Sequence, residues 1–279
     1  MVPYRLDSVR GLLGKALLIE FHYFPRSFDE RLRAFALASF AKEAGAEVKI
    51  KGFDCDLIKS TEGRADLYLA RPKGLEFKPK APFVLDVPSM PLWVGENALR
   101  HLAYHVYSRK ATKVITQSAE ASELLKREFV KAEPIPFQPP EELLSGIKEG
   151  KLACAWFPNK HEIEKIERAA LLAKMRNSVI ILGTKSRVLR SVEINSIKDL
   201  KLYLSLCRTI ISLREDIGPL PPYSDKPERT LARALGKGLI SDDCIKPEPL
   251  EEALKEAMNS SCEGEYPKAM EGFWKEVLS

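Results

Sequence analysis

The side chains of this 279-residue sequence best suited to chemistry stand directly after short apolar runs. Asp86 ends Phe83-Val-Leu and precedes Val-Pro-Ser-Met-Pro, so its carboxylate is expected to face a crevice, where it could orient a hydroxyl or act as a general base. A helix cap or a loop hydrogen bond is the competing use. His22 follows Ala16-Leu-Leu-Ile-Glu-Phe21, a place where an imidazole could contact an acceptor or a phosphate, or serve structurally. Lys160 follows Cys154-Ala-Trp-Phe-Pro158, and Gly183, Thr184 and Lys185 follow Ser178-Val-Ile-Ile-Leu182. In Lys226-Pro-Glu-Arg-Thr230, Pro227 suits the first position of a helix, whose outward backbone N–H groups attract anions. Lys160, Lys185 and Arg229 could add point charges or a bidentate fork to a diphosphate if their loops converge; otherwise they are solvated surface charges.

Other chemistries lack their residues. His101, His105 and His161 fall on expected helices without H-E-x-x-H or comparable spacing, so no metal site is expected. G-x-S-x-G, the Walker phosphate loop and G-x-G-x-x-G are all absent, which disfavours common hydrolases, NTPases and dehydrogenases. The five cysteines, Cys55, Cys154, Cys207, Cys244 and Cys262, form no C-x-x-C pair and are expected as buried reduced thiols. Gly236-Lys-Gly238 suits a helix C-cap followed by a tight turn.

The elements that must carry these residues alternate. Apolar runs predict strands over 16–21, 47–52, 66–70, 83–86 and 113–116, with helices over 27–44, 96–109 and 119–129. In the first helix Phe28, Leu32, Phe35, Ala36, Ser39 and Phe40 share a stripe, Ser27 or Asp29 can cap the start and Gly45 supplies the stop. After the proline-rich Glu133-Pro-Ile-Pro-Phe-Gln-Pro-Pro140 the pattern restarts, with strands over 152–157, 178–182 and 209–213 and helices over 162–175 and 197–206. A loop, a helix, the strand 239–243 and helices over 250–260 and 266–278 complete it. Strands alternating with helices imply mostly parallel sheets covered on both faces, with ligands outside the carboxyl ends of the strands. The expected division is an N-terminal domain over 1–133, a linker over 134–150, a C-terminal domain over 151–262 and a terminal helix over 263–279.

Composition agrees with this α/β reading. The chain is 45% hydrophobic and 30% charged, long enough for two cores and too apolar for disorder. Its Lys, Arg and Glu excess also suits ion-pair networks at high temperature. The net charge of +5 is spread among 44 basic and 39 acidic residues, so no nucleic-acid footprint is expected, whereas an anionic substrate or membrane surface is compatible. With neither a signal-peptide core nor a spanning run, the cytoplasm is the expected location. The basic, aromatic Arg100-His-Leu-Ala-Tyr-His-Val-Tyr-Ser-Arg-Lys110 could touch a membrane peripherally, although a packed helix explains it more simply.

Taken in order, these segments resemble the GT-B glycosyltransferases, in particular the retaining group that includes glycogen synthase. Arg109-Lys-Ala-Thr-Lys-Val-Ile-Thr-Gln-Ser118 is similar to the end of that family's N-terminal domain. Ser178-Val-Ile-Ile-Leu-Gly183 resembles its second C-domain strand, and Arg229-Thr-Leu-Ala-Arg-Ala-Leu-Gly-Lys-Gly-Leu-Ile-Ser241 its late helix and strand. Gly272-Phe-Trp-Lys-Glu-Val277 suits the final helix that crosses back to the first domain. The resemblance implies two Rossmann-like domains facing a cleft and transfer of a sugar from a nucleotide diphosphate to an acceptor. It implies no metal and no cofactor beyond that donor. Asp86 and His22 would be the catalytic residues, positioning groups in a retaining enzyme or one of them acting as base in an inverting one, and Lys160, Gly183, Lys185, Asp225, Glu228, Arg229 and Thr230 would bind the donor. The family's glutamate pair, spaced by seven residues, falls here on Asp225 and Arg233; Glu228 or Glu215 would then substitute at the ribose. A non-catalytic binding member and a sugar-nucleotide epimerase are the alternatives.

Overall fold

The structure, a computed structural model, describes residues 17–23, 28–51, 65–71, 75, 77–79, 81–87, 96–213, 226–241, 247–259, 261 and 268–278. Its elements run β1 (Leu18–Tyr23), α1 (Phe28–Glu43), β2 (Glu47–Lys51), β3 (Leu67–Arg71), β4 (Phe83–Asp86), α2 (Glu96–Ser108), β5 (Lys113–Thr116), α3 (Ala119–Arg127) and β6 (Glu133–Pro134). There follow α4 (Glu141–Leu144), β7 (Leu152–Trp156), α5 (Lys160–Leu172), β8 (Val179–Leu182), β9 (Arg190–Val192), α6 (Ile197–Leu204), β10 (Cys207–Ile211), α7 (Pro227–Ala234), β11 (Gly238–Ile240), α8 (Pro247–Ala257) and α9 (Ala269–Leu278). They form two compact units, one of residues 1–140, 222–225 and 267–279, the other of 141–221 and 226–266.

In the first unit six parallel strands lie in the order β2-β1-β3-β4-β5-β6. Strand alternation sends Ala70, Phe83, Leu85 and Val114 to a core shared with Phe77 and with Ala103, Tyr104 and Tyr107 of α2. On the other face α1 contacts β1, β2 and α9. Every residue of α1 from Leu32 to Ala41 is buried, so the single apolar stripe expected from the sequence is replaced by burial all round. The small Ala34, Ala36, Ala38 and Ala41 let its neighbours approach. Met270, Phe273, Trp274 and Val277 of α9, spaced i, i+3, i+4, i+7, are all buried, each contributing about 1.5 to 3 kcal/mol of transfer free energy. Trp274 meets Phe21 at 6.0 Å.

The proline-rich segment after residue 133 is packed. Glu133 and Pro134 form an edge strand, where proline's missing N–H costs least, and Ile135 and Phe137 are buried. Sequence periodicity missed β6 and β9 because two and three residues are too few to show alternation.

The second unit holds five parallel strands in the order β11-β10-β7-β8-β9. One face packs Ala153, Ala155, Val179, Ile181 and Ile211 against Ile163, Ile166 and Ala170 of α5 and Leu250 and Leu254 of α8. On the other face lies a correction to the cysteine expectation: Cys154 and Cys207 form a disulfide, with Cα atoms 5.7 Å apart. The cause is a register shift between Cys207 and Thr209, which pairs Cys207 with Leu152 while Ile210 pairs with Cys154. Without it, alternation would turn Cys207 to the face of Thr209; the irregularity re-aims it toward Cys154. Spacing alone shows no such bend. The Cys207 carbonyl also accepts from buried Lys237 Nζ at 2.5 Å, and burial, then the Arg208 charge, pushes the Lys237 pKa down to about 8.

Cys154 and Cys207 are fully buried, so their peptides should take up an alkylating reagent only after combined denaturation and reduction. Replacing both by Ser, across a separation of 53 residues, should cost about 4 kcal/mol in urea unfolding. Alkylation of both in denatured, unreduced protein would show that the bond does not form.

Candidate functional site

In open α/β sheets, ligand crevices lie at the carboxyl ends of the strands where the strand order reverses. The first sheet reverses between β1 and β3, whose last residues, Tyr23 and Arg71, are register partners. Both are completely buried, as is Asp86 at the end of β4, and Arg33 from α1 is nearly so. Asp86 accepts from Tyr23 Oη at 2.5 Å, from Arg33 Nε and Nη2 at 3.0 Å each, and from Arg71 Nη2 at 2.9 Å. Arg33 also donates to the Ile135 carbonyl at 2.6 Å and to that of Thr116 at 3.3 Å. Glu30 stands 3.6 Å from Arg71 Nη1, and the Arg71 guanidinium lies 5.6 Å from the Tyr23 ring centre.

These contacts set the protonation states. Burial by itself raises the Asp86 pKa, but the charges of Arg33 and Arg71 and the hydrogen bonds from Arg33 and Tyr23 outweigh it and hold the carboxyl below its usual value. Burial, then the Asp86 charge, pushes the Tyr23 phenol well above its ordinary value. The Asp86 carboxylate thus faces two guanidinium groups and a phenol, with no exposed surface. His22, one residue before Tyr23, points to the opposite face and lies 4.9 Å from the Phe77 ring. The structure therefore does not bring Asp86 and His22 together. Arg33 could have been noticed as the one charge inside Leu32-Arg-Ala-Phe-Ala-Leu-Ala38, where a cation without a buried partner would be costly.

The second sheet reverses between β7 and β10. After β7 the chain turns at Phe157, whose φ is 42°, and enters α5 through a capping box: Asn159 Oδ1 accepts from the Glu162 N–H at 3.0 Å and Glu162 Oε2 from the Asn159 N–H at 2.7 Å. Lys160, the first residue of α5, is exposed. Gly183, after β8, has φ +77° and lies against Phe157; a Cβ there would sit 2.2 Å from the ring. Its type thus has a packing cause. Lys185 is exposed and reaches Glu193, beyond β9, at 3.6 Å, away from the reversal.

Across the reversal, Ser212 follows β10 and donates to Glu228 Oε1 at 2.6 Å. Glu228 is fully buried at the start of α7, with Arg229 and Thr230 half-buried behind it. Unlike α3, α5 and α6, capped by Ser118, Asn159 and Ser196, α7 begins at Lys226 and Pro227 without a side-chain cap. Asp225 and Glu215 lie outside the described residues. Ser212, unremarked in the sequence as part of a strand, is what joins β10 to α7.

Among the described residues no group of three His, Cys, Asp or Glu side chains could hold a metal ion, and no helix is long and apolar enough to cross a membrane. Two parallel sheets flanked by helices give an α/β chain with a GT-B-like fold. Among solved structures, a protein assigned as a UDP-N-acetylglucosamine 2-epimerase from Listeria monocytogenes matches at 10% identity over 95% of each chain, with a TM-score of 0.52. The UDP-N-acetylglucosamine 2-epimerase from Rickettsia bellii matches at 11% over 94% of this chain and 93% of that one, TM-score 0.47. The glycosyltransferase SnogD from Streptomyces nogalater matches at 13% over 95% and 99%, TM-score 0.44. At such identities the likeness concerns the fold, and it does not single out the glycogen-synthase-like group. No model of a known protein family matches the chain, and no curated protein does.

Asp86→Asn leaves Arg33 and Arg71 buried without their anion and should cost about 3 to 5 kcal/mol at neutral pH, measured by denaturant unfolding. Because the folded pKa lies below the unfolded one, the Asp86 contribution is complete above roughly pH 3.9 and is lost as pH falls through the folded value. The gap between the two proteins should therefore narrow in acid; equal midpoints at neutral pH would remove the carboxylate from its place at the centre of this cluster. Gly183→Ala should cost about 1 to 3 kcal/mol through the clash with Phe157, and Phe157→Ala should relieve it in the double variant.

Proposed function

We propose that the chain is an enzyme of sugar nucleotides, a glycosyltransferase that binds a nucleotide-diphosphate donor at the carboxyl edge of the second sheet. The observation that carries this reading is the reversal at β7 and β10, which makes neighbours of the strands leading to Lys160 and to the Ser212–Glu228 pair. Arg229 and Thr230 follow directly on α7. Lys160, Arg229 and the positive end of α7 would offset the charge that builds on the leaving diphosphate, the electrostatic contribution on which group transfer chiefly depends. With two side-chain cations in that role, the reading needs no divalent metal. Glu228, clamped by Ser212, would set the angle at which α7 meets the nucleotide, and Asp225 would meet the sugar. Gly183 packs against the Phe157 ring beside the donor, and Lys185 serves at the outer margin. His22 would position the acceptor, with Asp86 acting through the strand ends it holds.

Epimerisation of the sugar nucleotide is the second reading, favoured by the whole-chain likeness to the Listeria protein. Proton NMR of the chain with UDP- and GDP-sugars separates the two: transfer or slow hydrolysis releases nucleoside diphosphate, whereas epimerisation yields a new anomeric signal with no acceptor added. A non-catalytic member would bind without either change. Arg229→Ala should weaken UDP or GDP binding roughly tenfold in calorimetry, the value of one charge-assisted hydrogen bond. Unchanged affinity would place the donor elsewhere, and failure of every sugar nucleotide to bind would end the reading.

A further inference from the structure

Helix α3 closes with a backbone turn in which the Val130 N–H donates to the Leu125 carbonyl at 2.9 Å and the Phe129 N–H to that of Lys126 at 3.1 Å. This Schellman pattern puts the residue after the cap in the left-handed region, where a side chain other than glycine or asparagine is strained. At the same place α1 uses Gly45, φ +95°, α7 uses Gly236, φ +59°, and α5 uses Lys174, φ +57°. Here α3 places Phe129, φ +61°, and its side chain is 100% exposed. An aromatic ring held in a strained conformation with no burial in return stabilises nothing in the free chain.

The surroundings of the ring are basic. Phe129 shares the lining of a cavity of about 660 Å³ with Arg109, Lys113 and Lys131. Arg109, Lys110, Arg127 and Lys131 are exposed and make no ion pair among the described residues. Lys113 stands between Glu133 at 2.7 Å and Glu276 at 3.0 Å, and Glu128 meets His105 at 2.9 Å, so three carboxylates face the five Lys and Arg side chains of this surface and leave it with a basic excess. The turns after α2 and α3 thus present one apolar projection on a surface with a basic excess, at the amino ends of β5 and β6.

We propose that this surface docks on an anionic phospholipid bilayer, with Phe129 entering the boundary between headgroups and acyl chains and Arg109, Lys110, Arg127 and Lys131 meeting lipid phosphates. The charge pattern selects an anionic surface. The ring, the one exposed aromatic of this surface among the described residues, selects an apolar layer into which it can insert over a ladder of bases on which several rings would stack. This surface belongs to the first unit alone and does not depend on the proposed donor site.

The test is flotation of the full chain with vesicles of phosphatidylcholine alone and of phosphatidylcholine mixed in equal parts with phosphatidylglycerol. The expected result is binding to the anionic vesicles only, weakened by salt. Each of Arg109→Ala and Lys131→Ala should weaken it by about fivefold, and Phe129→Gly by about tenfold. Phe129→Gly also relieves the left-handed strain, so its melting temperature should equal or exceed that of the parent, which separates loss of docking from loss of fold. Equal binding to neutral vesicles, binding to neither, full binding by Phe129→Gly, or displacement from the vesicles by an RNA duplex that the chain prefers would each overturn the proposal.

Discussion

The first sheet is held at its working edge by one carboxylate. Asp86 joins Tyr23 at the end of β1 and Arg71 at the end of β3, and through Arg33 it reaches α1 and the carbonyls at Thr116 and Ile135. Five of the six strand ends in that sheet therefore meet around two oxygens. Such a cluster is tolerable only if its charges balance and its donors are satisfied, because an unpaired charge in a dry interior costs several kcal/mol. Glu30 supplies the second anion against the two guanidinium groups. The all-round burial of α1 follows from the same constraint: Arg33 can reach Asp86 only from a helix laid flat on the sheet, and α9 covers what that helix leaves exposed on its far side.

The second sheet is fastened at its opposite end and by different chemistry. The Cys154–Cys207 bond and the Lys237 contact to the Cys207 carbonyl join strands β7 and β10 toward their amino ends, behind the reversal. At the carboxyl ends the same two strands carry lighter fastenings, a capping box at Asn159 and the Ser212–Glu228 hydrogen bond. A covalent tie placed away from the crevice leaves the side chains at its mouth free to be chosen for charge rather than for packing. That is where Lys160 and Arg229 occur.

The order of strands and helices was legible because apolar runs of four to six residues alternate with longer helical patterns, and the two sheets follow that order with shifts of a few residues. The edge strands β6 and β9 were not, being too short for a period to register. That the candidate residues follow strand ends was legible; their partners were not. Asp86 was found because it ends an apolar strand, but the partners that define its work, Arg33 and Arg71, lie 53 and 15 residues away in the chain and come together only through the sheet. Similarly, the disulfide depends on a one-residue irregularity in β10 that no spacing of cysteines announces. Gly183 was picked by its place after an apolar strand and by the resemblance; its neighbour in the fold is the Phe157 ring.

Charge accounting links the two kinds of site. The buried cluster of Arg33, Arg71, Glu30 and Asp86 sums to zero, so the chain's net charge of +5 must reside elsewhere, chiefly on its surface. Exposed pairs such as Lys185 with Glu193 or Lys126 with Glu123 neutralise one another but hold little free energy, since water screens them. Part of what remains lies around the turns after α2 and α3, at Arg109, Lys110, Arg127 and Lys131. A cation that is neither buried nor paired contributes little to folding and repels its neighbours, so several together are retained at a cost that an anionic partner would remove. The interior of this fold thus uses charge in neutral sets to lock strand ends, and the surplus faces outward, where only a ligand or a surface of opposite sign can complete it.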